Sequence, residues 1–289
     1  MLPEFEWPWR LAAAVLAVGL VVLFVVRAMR KDRREYARFR RYRSTARRQA
    51  LMRRWLIESL VLFGGTAVLV LVMVWPVVGP LLVTTQALPP VAWLRDALAG
   101  GLGFGLAVGT LLGVAALTWF GVRGARRDGG IIMVGDIAAL LPRNRPELGW
   151  GTALSINAGI VEEALFRLAM PALLVVVTGE PVSAFVMAAL VFGALHAYQG
   201  WAGVLATTVV GVLFTLLYVV SGSIVFAMLV HALFDLRSLV VIPMAVYRVH
   251  EVPGSVRFPK PLAVAAPPQA EGTRADGAQA DGAATDSEP

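Results

Sequence analysis

The chain has 289 residues, is 58% hydrophobic and only 16% charged, and carries a formal charge of +7 with no cysteine. That composition excludes an ordinary soluble domain, and the missing cysteine excludes disulfides, thiolate metal sites and cysteine-nucleophile chemistry. The cations are nearly all arginine, Lys31 and Lys260 being the only lysines, a bias expected of a GC-rich bacterial genome.

A hydrocarbon core about 30 Å thick needs roughly 20 apolar residues per helix. Runs of that length recur here without the alternation of a membrane barrel. They predict an all-α fold, a polytopic transmembrane helical bundle of about seven to eight helices. Residues 1–29 form an N-terminal anchor whose span is Trp7 to Val26. Glu4 and Glu6 precede it and arginines follow, the reverse of a cleavable signal peptide, which places the N-terminus outside. Residues 30–54 are so rich in arginine that they are expected to be cytoplasmic. Tyr36, Phe39, Tyr42 and Leu51 among those charges suggest a helix along the inner interface. Lying between two spans, it suits anionic membrane lipid as a partner, and no nucleic acid is expected.

Residues 55–140 hold further transmembrane helices and loops. Trp55 opens a span to about Trp75, after which the proline-rich stretch Pro76 to Pro90 is expected to break the helix and form an external loop. Leu98 to Phe120 is a third span whose Gly101, Gly103, Gly105, Gly109 and Gly113 would permit close helix contact. Arg123, Arg126, Arg127, Arg143 and Arg145 mark the next loop as cytoplasmic. Within it, Ile131 to Leu141 is too short to span and is expected to lie on the surface or re-enter. From 141 to 249 come a long stretch from Trp150 to Val177 kinked near Pro171, a turn at Thr178 to Pro181, and segments Val182–Tyr198, Trp201–Val220 and Ile224–Val246. Seven spans place the C-terminus in the cytoplasm and make the chain a multi-pass cell-membrane protein. Residues 250–289, without large apolar runs, read as a disordered tail.

Ionisable groups inside membrane segments cost about 3 kcal/mol or more each and are functional candidates. Glu163 and Arg167 are four apart with the carboxylate first, the favourable order for an ion pair. Glu162 points about 100° away round the helix. His196 follows Phe192 by one turn, and His231 precedes Asp235 by one turn. Each pair taken singly suits a structural role, such as an interhelical hydrogen bond. Together they supply a base for water and donors for an oxyanion, with no serine or cysteine nucleophile required. His250, at the membrane exit, has no comparable setting. In straight helices His196 and His231 would lie about 22 and 10 Å from their outer ends. Tilt or unequal helix lengths must therefore bring them level, and the site is expected in the cytoplasmic half.

Glu162-Glu163-Ala164-Leu165-Phe166-Arg167, Phe192-Gly193-Ala194-Leu195-His196 and His231-Ala232-Leu233-Phe234-Asp235 stand in order in apolar segments. In this the chain resembles the CAAX-protease and bacteriocin-processing (CPBP, or Abi) family of intramembrane proteases, over roughly Leu141 to Val246. The resemblance makes residues 141–249 a CPBP-like catalytic core. It implies that Glu162 is the general base, that His196 helps to bind the water, that His231 and Asp235 stand on the oxyanion side, and that Glu163 and Arg167 brace the site. The prenyl endopeptidases of that family have asparagine where Asp235 stands, and an aspartate donates only when protonated. No cofactor is expected from this likeness, although Glu162, His196, His231 and Asp235 could ligate zinc. The substrate would be a membrane-associated peptide or protein. A non-enzymatic immunity or accessory protein, a proton-coupled transporter and a bis-histidine haem site on His196 and His231 are the competing readings.

Overall fold

A computed structural model describes residues 2–3, 5–99, 102–128 and 134–254. Eight helical rods follow one another among them, with no strand. Five of the helices are long and apolar enough to cross a membrane. The chain is thus an all-α membrane bundle.

Helix α1 runs from Trp7 to Arg41 through a π-turn at Ala28–Asp32. The anchor and the first part of the basic segment are therefore one rod, not a span followed by a separate interfacial helix. Tyr42 is extended, and Ser44 caps the next helix by accepting the Arg47 N–H. Helix α2 then continues from Thr45 to Gln86. The expected loop after Trp75 is absent: Val74 leaves helical geometry (φ −113°, ψ 15°), and Pro76 and Pro80 lie inside the helix beyond. A proline bends a helix by displacing the carbonyl four residues back. Here the apolar surroundings favour resuming intrahelical hydrogen bonds over exposing backbone.

Helices α3 (Pro89–Ala99) and α4 (Leu102–Asp128) follow. Gly105, Gly109 and Gly113 of α4 do not mediate close packing, because a Cβ at any of them would meet nothing within 4 Å. Gly101 lies outside the described residues. The expected surface or re-entrant helix at 131–141 is also replaced. Residues 131–133 lie outside the described set, and the remainder is bends with one 3-10 turn, Ala138–Leu140.

The central rod, α5 (145–178), starts at Arg145, where the Asn144 side chain accepts the Glu147 N–H, and passes through a π-turn at Ala164–Ala169 into Met170–Thr178. That wide turn falls just before Pro171 and absorbs its missing N–H. Leu165, Ala169, Met170, Ala172 and Leu173 are fully buried, so this rod is the axis of the bundle. Helix α6 (Pro181–Leu195) is capped by the Glu180 carboxylate, which accepts from the backbone N–H groups of Val182 and Ser183; those bonds hold the exposed Glu180 carboxyl below its ordinary range. Helices α7 (Gly200–Ser221) and α8 (Ile224–Tyr247) are joined by Gly222 at φ 70°, a left-handed conformation that glycine adopts without cost. Past α8, Val249–Glu251 forms a 3-10 turn, and the Val252 carbonyl accepts the Arg145 N–H. The chain thus stays ordered here beyond Val249. The rest of the expected tail, 255–289, lies outside the described residues.

One close helix contact is between α5 and α8. A Cβ at Gly159 would lie 2.8 Å from the Ala232 Cβ and from the Met228 carbonyl oxygen. Gly159→Val is therefore expected to cost about 1–3 kcal/mol through overpacking, read as a lower unfolding midpoint in detergent. An unchanged midpoint would mean that the two helices are not this close.

The basic segment divides its charges. Glu58 receives Arg27, Lys31 and Arg54, and Arg40 pairs with Asp136. Arg48 is buried, with Nε 3.0 Å from both carboxylate oxygens of Glu147 and Nη2 donating to the Ala139 and Leu141 carbonyls. These contacts fasten the start of α2 to the start of α5. Arg30, Arg33, Arg34, Arg38, Arg41, Arg43, Arg47 and Arg53 remain exposed.

Candidate active site

The two adjacent glutamates of α5 have different surroundings because one residue turns a helix by about 100°. Glu163 points into the packed interior and is fully buried. Its Oε1 lies 3.1 Å from Arg167 Nη1 and 2.7 Å from His231 Nδ1. Arg167 is also buried, donates through Nη2 to the Gly211 carbonyl at 3.2 Å, and lies over the Phe192 ring at 4.6 Å. A buried charge needs an opposite charge and hydrogen bonds of this kind. A Cβ at Gly211 would lie 2.9 Å from the Phe192 ring, so glycine lets α7 approach the phenyl and the guanidinium together.

Glu162 instead faces a cavity of about 240 Å³ whose lining includes His196, Asp235, Phe166, Phe192 and Tyr198. His196 is the residue that ends α6, with φ −88° and ψ 17°. Its Nδ1 lies 2.9 Å from the Phe192 carbonyl oxygen. A carbonyl only accepts, so Nδ1 carries the proton and Nε2 is left for other partners. His231 stacks on Phe214, with ring centroids 4.7 Å apart and planes at 27°. With Nδ1 bonded to Glu163, its Nε2 lies 3.8 Å from Asp235 Oδ2 and 4.0 Å from Glu162 Oε2. The rings of His196 and His231 lie 5.0 and 6.3 Å from the ring of Phe192. Both histidines thus stand beside one phenyl ring, despite the difference in depth expected from straight rods.

A family model described as type II CAAX prenyl endopeptidase Rce1-like matches residues 144–237, about a third of the chain. This segment is Rce1-like. No curated protein and no solved structure gives a significant match. The Rce1-like segment runs from the cap of α5 to Arg237 in α8 and holds Glu162, Glu163, Arg167, Phe192, His196, His231 and Asp235. The matched residues cover the three motifs that carry the resemblance.

Much of the opposite cavity wall lies outside the Rce1-like segment. Phe24, Tyr36, Met52, Trp55 and Phe63 contribute apolar surface, and Arg27, Asp32 and Glu58 form a charged end. Composition had pointed to this stretch as a lipid-facing surface, and no local signal shows that it folds back over the Rce1-like helices. Asn157 and Ser59 also line the cavity. Asn157 was detectable as a polar residue in an apolar helix, but it belongs to none of the three motifs. His250 stands apart beside Glu251 at 3.6 Å.

Among the described residues, no three or more His, Asp or Glu side chains are gathered to hold a metal ion. One nitrogen of each candidate histidine is engaged by Phe192 or Glu163. The remaining donors near His231 are spread at 3.8 and 4.0 Å.

Proposed function

We propose that this chain is an intramembrane endopeptidase in which Glu162 activates water against a peptide bond. The observation that carries this reading is the separation of the paired glutamates: Glu163 is consumed by Arg167 and His231, while Glu162 shares a cavity with His196 and Asp235. Glu162 takes a proton from water as the oxygen attacks the carbonyl carbon, and returns it to the leaving amine as the C–N bond breaks. His196 Nε2 holds the attacking water. A protonated His231 stabilises the oxyanion through Nε2–H, with Asp235 as its electrostatic partner, so Asp235 need not itself donate. Glu163 and Arg167 hold His231 in place.

The substrate is a membrane-associated peptide or protein, cut near the cytoplasmic leaflet of a bacterial cell membrane, with the C-terminus of the enzyme on that side. The exposed arginines face anionic lipid, and nucleic acid is no partner. The chemistry needs no metal.

The test compares newly formed peptide termini in membranes from cells expressing the wild type or Glu162→Ala at equal protein levels, each with and without EDTA. Termini that require Glu162 and persist in EDTA are expected. Indistinguishable profiles would replace the enzymatic reading by that of a binding or immunity protein. Loss in EDTA with recovery on zinc would convert the same side chains into metal ligands.

A further inference from the structure

Beside Glu162 the cavity holds a polar group that neither the motifs nor the ion pairs use. Leu154, Ala158, Glu162 and Phe166 recur every four residues along α5 and line the cavity, with Asn157 flanking this stripe. Asn157 is only 7% exposed. Its Nδ2 donates to Ser59 Oγ on α2 at 2.8 Å, whereas its Oδ1 is buried with no hydrogen-bond partner among the described residues. Buried polar atoms are rarely left unpaired, because the desolvation cost is then uncompensated. Exchanging the amide nitrogen and oxygen changes nothing essential, since the serine hydroxyl can partner either. One amide atom is fixed by α2, and the other is free.

A peptide entering this cavity has the complementary problem. Its backbone N–H and C=O groups leave water for walls rich in aromatic side chains and need new partners. We propose that Asn157, oriented by Ser59, binds one main-chain peptide group of the substrate and so sets which bond lies against Glu162. Asn157 precedes Glu162 by five residues, about 7.5 Å along the helix. That is the length of about two extended residues, so the recognised peptide group lies about two residues from the cleaved bond. Selection of register by backbone would make cleavage position independent of the side chain at that place. This inference rests on the protease reading above.

The test uses purified full-length enzyme and a synthetic peptide copying the sequence around the most abundant cleavage that depends on Glu162. In a series of analogues each peptide N–H in turn is replaced by an ester oxygen. For the wild type, one ester about two residues from the cleaved bond is expected to lower kcat/KM about tenfold, mainly through KM, the loss of one hydrogen bond. Asn157→Leu should lower kcat/KM on the all-amide peptide by a similar factor and should no longer distinguish that ester. Ser59→Ala, which frees the amide to rotate, should give a smaller loss of the same kind and serves as the comparison if Asn157→Leu does not fold. Equal ester penalties in wild type and variant at every position would overturn the proposal. Cleavage by Glu162→Gln at the wild-type rate would instead take the role of base from Glu162, and failure of the purified wild type to cleave the peptide would remove the protease reading beneath the proposal.

Discussion

Arg167→Met is expected to destabilise the protein by about 3–5 kcal/mol, the usual cost of removing one partner from a buried ion pair. The guanidinium is 1% exposed and the carboxylate it faces is fully buried, so Glu163 would lose its permanent cation and keep only His231. Part of the loss is the penalty on the stranded carboxylate and not the strength of the bond. Glu163→Gln combined with Arg167→Met should therefore recover a large fraction of it. Denaturant or thermal unfolding in bicelles checks both variants. Stability of Arg167→Met within about 0.5 kcal/mol of wild type would show that Glu163 is neutralised by other means.

Glu162→Gln should behave in the opposite way, although it changes a residue of the same motif. The amide fills the same space at the cavity wall, so the unfolding midpoint is expected to stay put. Turnover should fall by about 10²–10⁴-fold, the contribution of a positioned general base. The assay is kcat on a peptide cleaved by the wild type, with melting recorded on the same preparation. Retention of more than about a tenth of the turnover, an allowance well below the usual effect of losing a base, would move the base elsewhere, to His196 first.

The pairing within the candidate site was legible because helical geometry converts short spacings into contacts. Glu163 and Arg167, four apart, do pair, and Glu162, one residue earlier, faces elsewhere. His231 and Asp235, also four apart, face each other at 3.8 Å. What spacing could not convey is the contact between distant segments. The His231–Glu163 bond joins α8 to α5 across 68 positions, between helices that also approach closely at Gly159. Proline misled in the opposite direction. Pro76 and Pro80 were expected to end a helix, but tertiary surroundings carried α2 through a kink to Gln86. Gly105, Gly109 and Gly113 of α4 resembled a packing seam, whereas close contacts are found at isolated glycines such as Gly159 and Gly211. The arginine-rich stretch hid its structure in its charge. Arg48 and Glu147 form a buried pair 99 positions apart, and composition does not separate that arginine from its exposed neighbours.

The cavity wall has a consequence for divergence. Under the proposed mechanism the residues that break the bond all lie within 144–237, whereas Phe24, Tyr36, Met52, Trp55 and Phe63, which face them across the cavity, lie on the first two rods. Mutations on those rods can reshape what enters while the Glu163–Arg167–His231 framework stays untouched. On that mechanism the far wall of the cavity is written on a different length of chain from the bond-breaking residues, and its shape can drift while they are held.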